Sequence, residues 1–283
     1  MRNKPKLIVI VGPTASGKSQ FAVKLAQKIN GEIISADSRQ VYKELNIGSA
    51  KITNQETKGI PHHCLNLVSV KKAFTVADFK REAEKVIDMI YHNNKIPILV
   101  GGTGFYIQSV VDGLILPEVL PNLKLRKRLS NYSTAYLFNK LTRLDPDRAK
   151  TMERKNKRRL IRALEIIDAL GKVPKLKKNQ KYKTQFIGIT RSPDALKKRI
   201  KNRTKEMLRR GLIRETKKLR SLGLSWKRIY ELGFEYKYPA LFSQKKISRK
   251  EMRNSINKET INYTRRQMLW WKKDKRIKWQ TPR

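Results

Sequence analysis

The octapeptide Gly12-Pro-Thr-Ala-Ser-Gly-Lys-Ser19 constrains this chain more than any other stretch, because of what flanks it. Before it, Lys6-Leu-Ile-Val-Ile-Val11 is an unbroken β-branched and leucine run, the pattern of a strand buried on both faces. After it, Phe21, Leu25 and Ile29 recur at helical spacing as far as Asn30-Gly31, a C-cap pair. Strand, glycine loop and helix in that order are the context in which G-x-x-x-x-G-K-[ST] binds a phosphate chain. The glycines let successive N–H groups face one anion, and the helix N-terminus adds partial positive charge. On this reading Gly12, Pro13, Thr14, Ala15, Ser16, Gly17, Lys18 and Ser19 cradle a diphosphate group, with ATP the first ligand to consider. Lys18 reaches the terminal oxygens, and Ser19 holds Mg²⁺, the one cofactor expected.

Further strands follow. Glu32-Ile-Ile-Ser-Ala36 ends at Asp37, and Ile96-Pro-Ile-Leu-Val100 ends at Gly101-Gly102. Between them, residues 75–92 place Phe79, Ala83, Val86, Ile87 and Ile90 on one helical face. Residues 122–171 lack any strand pattern and read as a basic helical insertion, after which Thr184-Gln-Phe-Ile-Gly-Ile-Thr190 returns to the sheet. Ser192-Pro193 then starts a helix with proline at its first position, and basic helices run to about Trp271. The expected fold is α/β, a parallel-sheet P-loop core flanked by helices over 1–118 and 184–283, interrupted by a helical insertion over 119–183.

The charge is uneven. The chain carries +43 overall, yet residues 1–118 hold 16 basic and 10 acidic side chains while the remaining 165 hold 50 and 13. A one-sided surplus suits a polyanionic partner, since basic groups that neutralise phosphates release condensed counterions, and nucleic acid is the first candidate. Against it stands a plain lysine bias that merely solvates helices. The apolar run begins at Leu7 with no leader before it, and no uncharged stretch reaches the roughly 20 residues of a membrane span, so a cytoplasmic protein with no membrane contact is expected. The single cysteine, Cys64, excludes an internal disulfide and a multi-cysteine zinc site. His62-His63 lacks a carboxylate or second cysteine at ligand spacing and reads as structural.

Asp37, at the carboxyl end of its strand, lies on the side where open α/β sheets bind ligands. It is either a general base or a turn aspartate. Gly101-Gly-Thr-Gly-Phe-Tyr106 lets backbone approach a ligand and offers the Thr103 hydroxyl. Arg158-Arg159-Leu160-Ile161-Arg162 groups three arginines on a helix, as a phosphate contact or a solvated face.

Taken together and in order, the octapeptide, Ser35-Ala-Asp-Ser-Arg-Gln-Val-Tyr42, Gly59-Ile-Pro-His-His63, Gly101-Gly-Thr-Gly-Phe-Tyr106 and Arg159-Leu-Ile-Arg-Ala-Leu-Glu165 resemble the tRNA dimethylallyltransferases of bacteria. The likeness continues through Met207-Leu-Arg-Arg-Gly-Leu212 and Tyr263-Thr-Arg-Arg-Gln267 to Trp270 and covers nearly the whole chain. It implies transfer of a dimethylallyl group from dimethylallyl diphosphate to N6 of the adenosine 3′ of the anticodon. It makes Asp37 the base, with Thr103 and Lys18 assisting, and sets Arg203 beside the diphosphate. It makes Asp37, Ser38, Arg39, Gln40 and the stretch Arg158, Arg159, Leu160, Ile161, Arg162 contacts to tRNA. The sequence leaves the oligomeric state open, and a monomer gripping one tRNA is the default expectation. Met152-Glu-Arg-Lys-Asn156 and Leu232-Gly-Phe-Glu-Tyr236 depart from the family's usual Ile-His-Pro-Asn and Ile-Gly-Tyr-Lys-Glu, in places expected to lie away from the chemistry. No zinc-finger pattern follows the core, as in the shorter form of the family. The competing readings are a P-loop small-molecule or nucleoside kinase and a non-catalytic RNA-binding module. The first leaves the basic C-terminal half unexplained.

Overall fold

A computed structural model describes residues 4–282. The chain runs β1 (Lys6–Val11), α1 (Lys18–Ile29), β2 (Gly31–Ala36), α2 (Asn54–Thr57), β3 (His62–His63), α3 (Val76–His92), β4 (Ile96–Gly101), α4 (Gly104–Val111), α5 (Leu123–Ser130), α6 (Thr134–Leu144), α7 (Pro146–Lys150) and α8 (Lys157–Leu170). It continues β5 (Lys183–Ile189), α9 (Pro193–Arg209), α10 (Leu212–Ser221), α11 (Trp226–Glu231), α12 (Phe234–Ser243), α13 (Arg249–Trp271) and β6 (Lys278–Gln280). The strands form one parallel sheet in the order β3-β2-β4-β1-β5-β6. Beyond the exposed Lys6, the central strands β1 and β4 are apolar because helices cover both faces. Leu7, Val9 and Val11 point to the α3 and α4 side with Phe79, Ile87 and Ile107, while Ile8 and Ile10 point to α1 with Ala22, Val23 and Ala26.

Local signals explain the element ends. Asn30 caps α1 at φ 51°, Thr75 and Asp78 form a capping box on α3, and Ser192 caps α9 ahead of Pro193. Two strands escape the sequence pattern. β3 is two residues long and β6 three, too short for any periodicity, and both are added at sheet edges by pairing with β2 and β5.

Two compact units result, Met1–Gly113 with Gln180–Arg283, and Leu114–Asn179. In the first, helices α10 to α13 build a further core with the 41–50 loop, in which Tyr236 is 1% exposed. Glu215 holds that loop: its carboxylate accepts from the amides of Asn46 (3.1 Å), Ile47 (2.8 Å) and Gly48 (3.0 Å) and from the Tyr236 hydroxyl (2.9 Å). Tyr236→Phe removes one of four bonds and leaves the three amides paired, so a loss of about 1 kcal/mol is expected in urea unfolding. No change in midpoint would remove the Tyr236 hydroxyl from this clamp.

The second unit packs α5, α6, α7 and α8 around Leu125, Leu129, Leu137, Leu141, Leu160 and Leu164. Glu165, 1% exposed, accepts from the Asn122 amide (2.7 Å), from Arg126 Nε and Nη2 (both 2.7 Å) and from Arg162 Nη1 (2.5 Å). Burial alone would raise this carboxyl, but the hydrogen bonds from Arg126, Arg162 and Asn122 outweigh it and hold it below the usual range.

Candidate active site

At the carboxyl ends of β1, β2 and β4 lies a cavity of about 860 Å³, counting its open mouth. It is lined by Thr14, Ala15, Gly17, Lys18 and Ser19 from the loop, by Asp37 and Gln40 after β2, by Gly101 and Gly102 after β4, and by Arg203 of α9. Ile33, Ile52, Leu65 and Val100 supply an apolar wall, and Ser35, Ser49 and His62 add polar atoms. Residues far apart in sequence thus share one space because parallel crossovers deliver every strand end to the same edge.

The loop owes its curl to backbone values that glycine permits. Gly12 adopts φ 148° and Gly17 φ 101°, and a Cβ on Gly12 would run into the Ile189 carbonyl oxygen of β5. Ala15 accepts φ 65°, a left-handed value with a modest cost for a non-glycine residue. Three side chains grip the loop from outside. Arg191 Nε donates to Ser16 O (3.0 Å), Arg199 Nε to Ala15 O (2.7 Å), and Gln267 Oε1 accepts from the Thr14 amide (2.8 Å). Lys18 Nζ donates to Pro13 O at 2.7 Å. Its remaining surface faces the cavity, and burial pushes its pKa down to about 7, with the nearby Arg203 guanidinium adding to the fall and Asp37 opposing it. Arg203 is also lowered by burial, yet stays charged as arginines do.

Asp37 Oδ1 accepts from the Arg39 amide (2.8 Å) and the Gln40 amide (3.4 Å), so the carboxylate does form a turn while it lines the cavity. Thr103 is not among the lining residues. Its Oγ1 accepts from the Ser38 amide (3.2 Å) and thereby fixes the residue after Asp37. Gln40 spends its side chain within the protein, accepting from Ser35 Oγ (2.9 Å) and donating to Ser49 O (3.2 Å). Arg39 Nη2 donates to Glu231 O at 3.2 Å.

The structure corrects several expectations. Glu235 of the 232–236 segment does not line the cavity but lies in the electrostatic field of its residues: burial raises it to about 7 against the pull of Arg203 and Arg39, with Asp37 adding to the rise. Tyr263 of α13 is pushed up to about 12, by burial and then by Asp37 and Glu235. The glycines of the 101–104 turn are needed for packing as much as for ligand approach. A Cβ on Gly101 would strike the Ala36 carbonyl, one on Gly102 the Gln267 amide, and one on Gly104 the Trp270 indole. In the helical unit, Leu160 is fully buried in the core, and Ile161 packs against that core while staying partly exposed. Arg162 is tied to Glu165 and to Val119 O (2.9 Å), whereas Arg158 and Arg159 are exposed, the latter 3.5 Å from Glu153. His63 Nε2 bonds Glu32 (2.6 Å), and no group of three metal-binding side chains occurs among the described residues. Arg191 and Arg199 lie in no motif of the sequence, whereas His62 lies in Gly59-Ile-Pro-His-His63 with a structural reading, Glu235 in the divergent Leu232-Gly-Phe-Glu-Tyr236, and Gln267 in Tyr263-Thr-Arg-Arg-Gln267 with no role assigned.

Residues 40–274 match the family model described as IPP transferase. The chain belongs to this family. The family's tRNA dimethylallyltransferase from Halothermothrix orenii is 38% identical over 96% of this chain and 86% of the relative, and that from Alkaliphilus metalliredigens is 36% identical over 98% and 91%. Among solved structures, the full-length tRNA isopentenylpyrophosphate transferase of Bacillus halodurans superposes with a TM-score of 0.74 at 35% identity, covering 98% of this chain and 90% of that one. A eukaryotic dimethylallyltransferase acting on tRNA gives 0.81 at 31% identity, covering 94% and 70%. The P-loop, parallel-sheet architecture is therefore that of the family.

Proposed function

We propose that this chain transfers a dimethylallyl group from dimethylallyl diphosphate to the exocyclic N6 of the adenosine 3′ of the anticodon in tRNA, releasing diphosphate. The observation that carries this is the composition of one cavity, where an anion cradle with Lys18 and Arg203 adjoins an apolar wall and a carboxylate, Asp37. A prenyl diphosphate needs all three. The loop amides, Lys18 and Arg203 stabilise the diphosphate as the allylic C–O bond breaks. N6 of the adenine forms the new C–N bond, and Asp37 accepts the proton that N6 loses. Ile33, Ile52, Leu65 and Val100 keep water from the allylic carbon. An adenine held in a loop stack must be extruded to reach this space.

Ser19 lines the cavity with a hard oxygen donor, and Ser16 Oγ is buried at the loop without a protein partner, which suits a Mg²⁺–diphosphate pair seated there. Ser19 would hold the ion, which when bound neutralises charge on the departing diphosphate. Among the described residues no helix is long and apolar enough to cross a membrane. As an enzyme acting on tRNA, it would work in the cytoplasm, and a monomer gripping one tRNA is the form proposed.

The test is incubation with labelled dimethylallyl diphosphate and an unmodified anticodon stem-loop. Label is expected in the RNA. Phosphoryl transfer from ATP to a small acceptor, with no labelled RNA, would establish the kinase reading instead.

The exposed Arg158 and Arg159 serve as phosphate contacts in this proposal. Replacing both by alanine is expected to weaken stem-loop binding and lower the slope of log K against log salt by about one per lost contact. Arg162 is a poor probe, since its loss strips Glu165 of a partner. An unchanged salt slope would make the pair a solvated face.

A further inference from the structure

We infer that Gln267 is the positioning residue that fixes the diphosphate loop and the Thr103 loop relative to each other. This rests on the prenyl transfer proposed above. Gln267 sits on α13, 253 residues from Thr14, and is 5% exposed. Its Oε1 accepts from the Thr14 amide at 2.8 Å, and its Nε2 donates to the Gly102 carbonyl at 3.1 Å. Thr14 and Gly102 both line the cavity. Among the described residues, Gln267 is the side chain seen bonding both loops, whereas Arg191 and Arg199 grip the diphosphate loop alone.

The chemistry requires an amide. One terminal atom must accept and the other donate, which a carboxylate or a thioether of the same length does not do. The loop is built around this side chain, because a Cβ on Gly102 would occupy the place of Nε2, and one on Gly104 that of the Trp270 indole one turn further along α13. From Gly102 the effect passes to its neighbour Thr103, whose hydroxyl accepts from Ser38 beside Asp37. Gln267 therefore stands at the hinge of two arms, one ending at the leaving group and one at the proton acceptor. The precision that such reactions need makes a small displacement costly.

Two variants test this. Gln267→Met keeps the volume and loses both bonds, and kcat/KM for dimethylallyl diphosphate is expected to fall about 10- to 100-fold, as does affinity for inorganic pyrophosphate by about 10-fold. Stem-loop affinity should stay within about twofold of wild type, with thermal unfolding lowered by only several degrees. Gln267→Glu is isosteric but donates to Gly102 only when protonated, so its activity relative to wild type should rise as pH falls. The methionine variant lacks that response, and a residue serving stability alone would show neither the pH trend nor the selective loss of donor affinity. Both variants within twofold of wild type in kcat/KM and in pyrophosphate affinity would overturn the inference. Wild-type protein that binds pyrophosphate but labels no RNA would overturn the reaction instead, and the pyrophosphate affinities of the variants would still judge Gln267.

Discussion

Asp37→Asn is expected to slow prenyl transfer by about 10² to 10⁴-fold, the usual contribution of a general base, with the affinity for the anticodon stem-loop nearly unchanged. Asparagine is the informative replacement because of how Asp37 is held. Its Oδ1 accepts from the amides of Arg39 and Gln40, and an asparagine oxygen does the same, so the turn survives while the proton acceptor is lost. Alanine would remove both at once. Its effect on rate would then mix chemistry with displacement of Ser38 and Arg39, which follow Asp37 directly. Single-turnover rates at saturating RNA, compared with stem-loop binding by fluorescence anisotropy, make the check. A parallel fall in binding and rate would assign Asp37 to RNA contact, and an unaltered rate would leave it a turn residue.

Lys18→Met is expected to lower kcat/KM for the donor by about 10² to 10³-fold, the scale seen when one preorganised donor to a developing negative charge is removed. The effect should fall on the donor and spare the RNA, since Lys18 bonds Pro13 within the loop. Its pH behaviour follows from its surroundings. In the free protein burial and Arg203 bring Lys18 down to about 7, and a bound diphosphate would raise it again by direct pairing. Between those two values binding takes up a proton. Donor affinity is therefore highest below about pH 7 and declines as pH rises above it. Calorimetry at pH 8 in two buffers of different ionisation enthalpy should show uptake approaching one proton for wild type and none attributable to this site in Lys18→Arg. Equal uptake in the two proteins would mean that Lys18 is already charged before the donor arrives.

Much of this was legible in the residues because it is local. β1, its glycine loop and α1 are contiguous, and a loop flanked in this way has few other uses. The α3 face of Phe79, Ala83, Ile87 and Ile90 follows from spacing alone, as does the start of α9 at Ser192-Pro193. Asp37 was legible as an acid at a strand end, though its double service as turn former and cavity wall was not. The edge strands β3 and β6 were hidden because two or three residues carry no period, and pairing with a distant neighbour makes them strands.

The helical insertion shows the same division. Spacing placed the arginines at 158, 159 and 162 on one helix, but only packing shows that Arg162 is consumed by the buried Glu165, leaving Arg158 and Arg159 exposed. The 232–236 segment departs from the family's usual residues, and nothing local told that Glu235 would share the field of Asp37, Arg39 and Arg203.

By itself the sequence determined the α/β class, the glycine loop between β1 and α1, and the family, since each rests on short patterns whose physics is set by adjacent residues. Tertiary structure alone decided which groups meet at the cavity and in what state. Arg203 comes from α9 and Gln267 from α13, each more than a hundred residues from the loop it serves, and the shift of Lys18 arises from mass and charge gathered by the fold. Desolvation and bridging hydrogen bonds act through space between distant segments, so no window of sequence contains them.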